Sequence, residues 1–450
     1  MNCNDLTSLQ YPLREDVQKL VQGGYVALAS KQIIYLLEHD LVDEKQRARL
    51  ELEQHLLAIE ERDYPYDKEE ALKLLRTIQD DATEDTLDKY RMQGFVDYSL
   101  KDGEIHYHKR FIDTLLKTNP LFLKKNETSK DMQLRISLLS RMKERGHAEA
   151  DISVHIGLRI ASSAYRKGEV VSIDLPLPVQ STYMSNVRIT AQSAHMIGCD
   201  PVSSKRRYAH FRGVLEQDEE CWIECSYTNS LVYNDMDRIQ QNCKIKNVKA
   251  KSEAPYLVRT PYLEALAKSI VGFETNPVAK ARLIYEYITH NVRYSFVRSY
   301  QSIANLAEYG AANRKGDCGI QAALFIELCR ICMIKANWQG GMYVTPYEVG
   351  NHDWATFEVP GYGTCYADCS FGGGAHRLGN TELERYYFGN LDVMRLPCCN
   401  ALAYRKDIPS EHWFDDPTDN QRGEAYYDSC SLTSNDLVSE RKTLKFMLRD

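Results

Sequence analysis

The sequence predicts an α+β fold on three observations: a charged first third with helical periodicity, strand alternation from about residue 150, and a return to helix and then strands after residue 260. In residues 1–148, Leu74, Leu75 and Ile78 share one helical face. Leu52, Leu56 and Ile59 do the same within 42–59, and residues 111–123 repeat the pattern. A helical bundle without chemistry of its own is expected there.

Near residue 150 the apolar period becomes two. Val154, Ile156, Leu158 and Ile160 alternate with other residues, as a half-buried strand requires. Further strands are expected at 170–177, 186–191, 208–214 and 219–227, with turns at Lys167-Gly168 and 215–218. Short strands separated by turn residues predict a β-sandwich accessory domain over 149–250. Helical spacing then returns near Pro261: Ala279, Leu283 and Tyr287, with Ile284 and Ile288, recur within 277–293 behind Pro277 at the first turn. An apolar helix follows Cys318, and strands run from beyond Gly340-Gly341 to about Pro397. Residues 251–400 are therefore expected to form a third domain of mixed helix and strand. Residues 401–450 are polar, broken by Pro409, Pro417 and Gly423, and are expected to wrap that domain as a strand-and-loop extension.

Composition bounds the function. A chain of 450 residues is too long for one core, so several domains are expected. A net charge of −7 on this length argues against a nucleic-acid partner. No apolar run of about 18 residues exists, so no membrane span is expected. The start, Met1-Asn2-Cys3-Asn4-Asp5, lacks the basic and apolar regions of a signal peptide, which points to a cytoplasmic protein. The alternative is an exported lipoprotein with its signal removed and lipid on Cys3. The 13 cysteines are odd in number and none lies between Cys3 and Cys199, a poor pattern for a disulfide framework. Cys221 and Cys225 would lie roughly 13 Å apart along a strand, too far to bridge. Reduced thiols follow.

The chemistry concentrates in residues 316–371. Cys318 sits in Gly316-Asp317-Cys318-Gly319, directly before the apolar helix. A cysteine in a helix's first turn meets unsatisfied N–H groups and the positive end of the macrodipole, both of which favour thiolate. The two glycines would leave room for a substrate carbonyl. Asp317 opposes ionisation, so a histidine partner is needed. His352, 34 residues on, opens a strand as Asn351-His352-Asp353-Trp354-Ala355. Strand alternation sends Asp353 to the opposite face, so it cannot orient the imidazole. Asp368, a further 16 residues on in Tyr366-Ala367-Asp368-Cys369, would meet the ring if its strand pairs with that of His352. The expected roles are Cys318 as nucleophile, His352 as general base and acid, and Asp368 as the residue fixing the tautomer. The Cys318 N–H supplies one oxyanion donor.

These motifs resemble the transglutaminase-like superfamily of papain-like thiol enzymes. The likeness rests on Gly-Asp-Cys-Gly at a helix start, His-Asp-Trp-Ala opening a strand, and Pro360-Gly361-Tyr362-Gly363 before Asp368. The lead-in helix and Asn291-Val292-Arg293-Tyr294 also match. The resemblance covers about residues 255–400 and implies Cys318, His352 and Asp368 as the triad. It departs from the animal crosslinking enzymes in lacking their calcium sites and the Gln-Cys-Trp of their nucleophile segment. Hydrolysis of peptide or amide bonds in a bacterial setting is therefore expected, without a cofactor.

Other features read more plainly. Cys329, Cys332, Cys365 and Cys369 are expected as small core hydrophobes. Cys329-Arg330-Ile331-Cys332 has zinc-knuckle spacing but no second pair, so no metal site is expected. Gly372-Gly373-Gly374 lacks the Lys-Ser/Thr of a phosphate loop and is expected as a flexible turn at the site mouth. His376 and His412 are expected as solvent or loop histidines, Trp338 and Trp354 as cleft-wall or core aromatics. Two alternatives stand beside hydrolysis of a peptide or protein substrate: transamidation of protein glutamine, and a non-catalytic interaction module retaining the fold. No pattern specifies the substrate, the bond cleaved or the oligomeric state.

Overall fold

The computed structural model describes residues 8–9, 11–39, 41–123, 129–244, 248, 253, 256–402, 418 and 420–449. Cys3, Pro409, His412 and Pro417 lie outside the described residues. Among these no helix is long and apolar enough to cross a membrane.

The first third is helical: α1 (Glu15–Gln22), α2 (Val26–Glu38), α3 (Glu44–Asp63), α4 (Lys68–Leu75), α5 (Glu84–Met92), α6 (Phe111–Thr118), α7 (Pro120–Leu123) and α8 (Lys130–Arg145). Capping marks the starts. Asp43 accepts from the Gln46 N–H, and Asp67 with Glu70 forms a capping box. Helix α4 stops at Leu75, so Ile78 falls just beyond it. The expected helix over 111–123 breaks at Asn119, ahead of Pro120. A hairpin, β1 (Tyr98–Lys101) and β2 (Glu104–Tyr107), interrupts the bundle. Its turn is Asp102-Gly103, both at positive φ, a short-hairpin signature. Two apolar cores hold this region, one around Ala29, Ile33 and Leu50, the other around Leu75, Leu87 and Phe111.

Gly146, at φ 76°, ends α8 in the left-handed conformation and turns the chain into strands. These are β3 (His147–Ile160), β4 (Val170–Pro176), β5 (Met184–Gln192), β6 (Met196–Cys199), β7 (Tyr208–Val214) and β8 (Glu220–Val232). Val154, Ile156, Leu158 and Ile160 are buried, and Cys221 and Cys225 take alternate buried positions along β8. The short strand β6, mostly exposed, shows no apolar alternation in sequence.

The last third contains α9 (Met236–Asn242), α10 (Pro261–Val271), α11 (Pro277–Asn291), β9 (Arg293–Tyr294), α12 (Leu306–Asn313), β10 (Lys315–Gly316) and α13 (Cys318–Ile331). Then follow β11 (Ala336–Val344), β12 (Val349–Val359), β13 (Gly363–Ala367), α14 (Cys369–Arg377), α15 (Thr381–Tyr386), β14 (Phe388–Gly389) and β15 (Arg395–Cys399). Strands β14, β13, β12, β11 and β15 form an antiparallel sheet in that order. Helix α13 packs on it, with Phe325 edge-on to Phe357 at 5.8 Å. Gly340 and Gly341 lie inside β11, not before it, at a bulge against β15. A Cβ on Gly341 would meet the Leu396 carbonyl oxygen at 2.0 Å, so only glycine permits this pairing.

The C-terminal residues correct an expectation. Strands β16 (Glu424–Tyr427) and β17 (Cys430–Ser431) extend the β4 sheet, ordered β17-β16-β4-β7-β6. Strand β18 (Leu437–Leu448) pairs with β3 from Ile160 to Ala150, giving β18-β3-β8-β5. The tail thus completes both sheets of the strand-rich region instead of only wrapping residues 251–400. Without it the edge of β3 would expose a long row of unpaired backbone groups. One continuous apolar core joins these sheets to α13 and its sheet.

Candidate active site

Cys318 is the first residue of α13, and Asp317 is its N-cap, accepting from the Ile320 N–H at 3.2 Å. The Tyr300 hydroxyl donates to the same carboxylate. The flanking glycines serve packing, not substrate access. A Cβ on Gly319 would meet the Tyr300 hydroxyl at 2.2 Å and the Trp338 ring at 2.9 Å; one on Gly316 would strike Ile320. The helix behind is buried almost all round, so the cysteine is rigidly mounted.

Strand β12 places its residues on alternate faces. Asp353 turns to the nucleophile candidate: the Cys318 thiol donates to Asp353 Oδ2 at 3.6 Å, and Gln421 Nε2 donates to Asp353 Oδ1 at 2.8 Å. His352 turns the other way, and its Nε2 lies 2.7 Å from Asp368 Oδ2. Strands β12 and β13 pair as the sequence suggested, but β13 ends at Ala367. Asp368 is instead the N-cap of α14, accepting from the Phe371 N–H at 2.9 Å. The three glycines 372–374 are therefore helical, not a flexible turn. A Cβ on Gly372 would meet the Tyr285 hydroxyl at 1.8 Å, so its absence lets α14 close on α11.

A residue that sequence reasoning missed holds this pair. Arg395 is wholly buried; it donates to Asp368 Oδ2 at 2.7 Å and to Asp392 Oδ2 at 2.8 Å. Its guanidinium lies 4.6 Å from the Phe371 ring centroid, and that ring stacks on His352 at 4.2 Å. Nothing in the sequence around Leu396 marks this arginine. Trp354 is buried, donating to Gln339 at 2.7 Å, and Trp338 is buried too; neither lines the cleft.

Charge follows from this geometry. Burial, then Asp353 and Asp317, push the Cys318 thiol well above its ordinary value, Asp317 opposing ionisation as its place beside the thiol implies. Burial lowers His352 against the pull of Asp368. Burial would raise Asp368, but His352 and Arg395 overcome it and hold the carboxyl well below the usual range. An ionised Asp368 accepts only, so Nε2 of His352 carries its proton and Nδ1 presents a lone pair.

No hydrogen bond joins Cys318 to His352. Cys318 lines a cavity of about 870 Å³ and His352 an adjoining one of about 900 Å³; Arg110, Lys117, Tyr294, Gly350 and Asn351 line both. The helical region, expected to be without chemistry, supplies Arg62, Asp63, Lys109, Arg110 and Lys117 to this cleft. The C-terminal residues supply Gln421, Arg422 and Arg441. Outside it, His290 Nε2 and His376 Nδ1 lie 2.6 and 3.2 Å from the two oxygens of Glu384, their rings stacked at 4.0 Å. Such a trio could hold a metal ion, but the shared carboxylate already accounts for the grouping. His376 is exposed, as expected of a solvent histidine, but it sits on a helix with a carboxylate partner and not in a loop.

Residues 264–369 match the transglutaminase-like superfamily model, and the chain carries a transglutaminase-like domain of α+β class. None of the curated proteins matches the sequence. Two solved structures are similar in part. A "putative cysteine protease" from Cytophaga hutchinsonii is 13% identical with a TM-score of 0.42, covering 66% of this chain and 91% of its own. The periplasmic domain of TgpA from Pseudomonas aeruginosa is 14% identical with a TM-score of 0.29, covering 55% and 96%.

Proposed function

We propose that the protein is a thiol-dependent acyl-transfer enzyme that hydrolyses peptide or related amide bonds through Cys318, His352 and Asp368. The observation that carries this reading is the His352–Asp368 pair, anchored by buried Arg395, beside a cleft that contains a helix-opening cysteine. Among the described residues His352 Nδ1 has no hydrogen-bond partner, and it is the atom available to take the thiol proton. For that the Cys318 side chain must leave Asp353 and turn toward the imidazole. The sulfur then attacks the substrate carbonyl, His352 returns the proton to the leaving amine, and water or an amine resolves the acyl-enzyme.

The test is acylation. The chain is incubated with activated peptidyl esters and its mass is read with and without hydroxylamine. An adduct on Cys318, absent in Cys318→Ala and slowed about 100-fold or more in His352→Ala, is expected. Release as free acid supports hydrolysis, and transfer to a supplied amine in preference to water supports transamidation. A chain that forms no Cys318 adduct with any ester refutes the reading and leaves an interaction module.

A further inference from the structure

The cleft of Cys318 is cationic in a chain whose net charge is −7. Among the described residues, seven lysine and arginine side chains line it against three carboxylates, Asp63, Asp317 and Asp353. His108 adds no charge, because burial pushes it down to about 4. Some of these cations are spoken for. Lys109 lies 3.0 Å from Asp63, and Arg110 lies 2.8 Å from Asp113. Lys117 and Arg298 have no carboxylate partner among the described residues. Lys117 Nζ rests 5.3 Å and 5.0 Å from the ring centroids of Tyr294 and Phe296. Arg110 stacks on the same Phe296 ring at 3.4 Å, so two like charges share one aromatic support. The Arg298 Nε is buried without a hydrogen bond. Enclosure and the Arg110 charge lower the Lys117 ammonium, while Cys318 and the more distant carboxylates of Asp113 and Glu348 oppose them.

Crowding like charges around a nucleophile costs stability unless a ligand's negative charge offsets it. On this basis we infer that the cleft binds acidic peptides, a substrate carboxylate pairing with Lys117 and Arg298 while the chain passes Cys318. The inference rests on the thiol-enzyme reading for the substrate's role, but not for its binding. Lys117 comes from the helical region and Arg298 from the loop ahead of Cys318, so this region acts as a specificity wall across the catalytic domain.

The experiment measures binding of fluorescent peptides to full-length Cys318→Ala, in which no turnover occurs. Glu-containing peptides, their Gln isosteres and Lys counterparts are compared, each with a free and an amidated C-terminus. The Glu peptide should bind about ten-fold or more tighter than the Gln isostere, with the gap closing as salt screens the pair. Retention of the gap on amidation assigns the carboxylate to a side chain; equal Glu and Gln binding that is lost on amidation would assign it to the chain terminus and overturn the inference. Competition by inorganic phosphate at the concentration of the peptide would overturn the peptide assignment. Lys117→Glu should reverse the preference toward the Lys peptide, a gain that misfolding cannot mimic. Equal binding of Glu and Gln peptides, or no binding by any, refutes the inference. Acidic peptides that bind but are never cleaved by the parent would refute the catalytic reading alone.

Discussion

Asp353 shows how much one position of strand register decides. It neighbours His352 in sequence, yet it faces the thiol while His352 faces Asp368. A carboxylate this close opposes thiolate formation, so Asp353→Asn, which keeps the shape, should lower the Cys318 midpoint. Iodoacetamide alkylation followed by mass spectrometry across pH tests this. Cys318 in the parent should react more slowly at neutral pH than the exposed Cys199, and the variant should speed up. An unchanged pH profile would mean that Asp353 does not set the thiol's charge. The candidate residues Cys318, His352 and Asp368 were legible because each sits in a local motif. Arg395, Asp353 and Gln421 were not, because their roles depend on which surfaces meet in space.

Among the elements, β4 and β7 carry a pH-dependent clasp. His210 on β7 hydrogen-bonds Asp174 on β4 at 2.6 Å and Asp200 at 3.1 Å, and these carboxylates, Asp174 first, raise the imidazole to about 9. The folded value lies above the unfolded value of about 6.5, so the folded state holds the proton more tightly. Its stabilisation is fully present below about pH 6.5 and is lost as pH rises to about 9. Thermal melts should fall by several degrees across that window in the parent, and His210→Gln should flatten that part of the curve. Parallel curves for the two proteins would rule the clasp out. Burial of His352 and the pairing of Asp368 act at the other end, where stability falls as acid protonates them.

The whole molecule depends on its last strand. Strand β18 covers β3 along nearly its full length, and its Arg441 reaches the cleft, donating to Asn351 and to the Gln421 carbonyl. Deleting residues 437–449 should leave β3 as an exposed edge and yield an aggregating chain with poor soluble recovery. Hydrogen exchange of any soluble fraction should show β3 amides unprotected. A truncated chain that melts with the parent would show that β18 is dispensable.

The sequence alone determined whatever depends on short-range periodicity and local motifs. That includes the buried helix behind Cys318, the alternation of β3 and the start of α11 at Pro277. Tertiary structure decided what depends on distant segments meeting. It paired β18 with β3 despite that strand's polar pattern, and it made the glycines at 319 and 372 into contact points for tyrosines. It also set Asp353 against the thiol and brought the helical region's cations to the cleft. Periodicity fixes which face of an element is apolar, but charge and hydrogen bonding in a site depend on what lies across the gap, and that is a property of the packed chain.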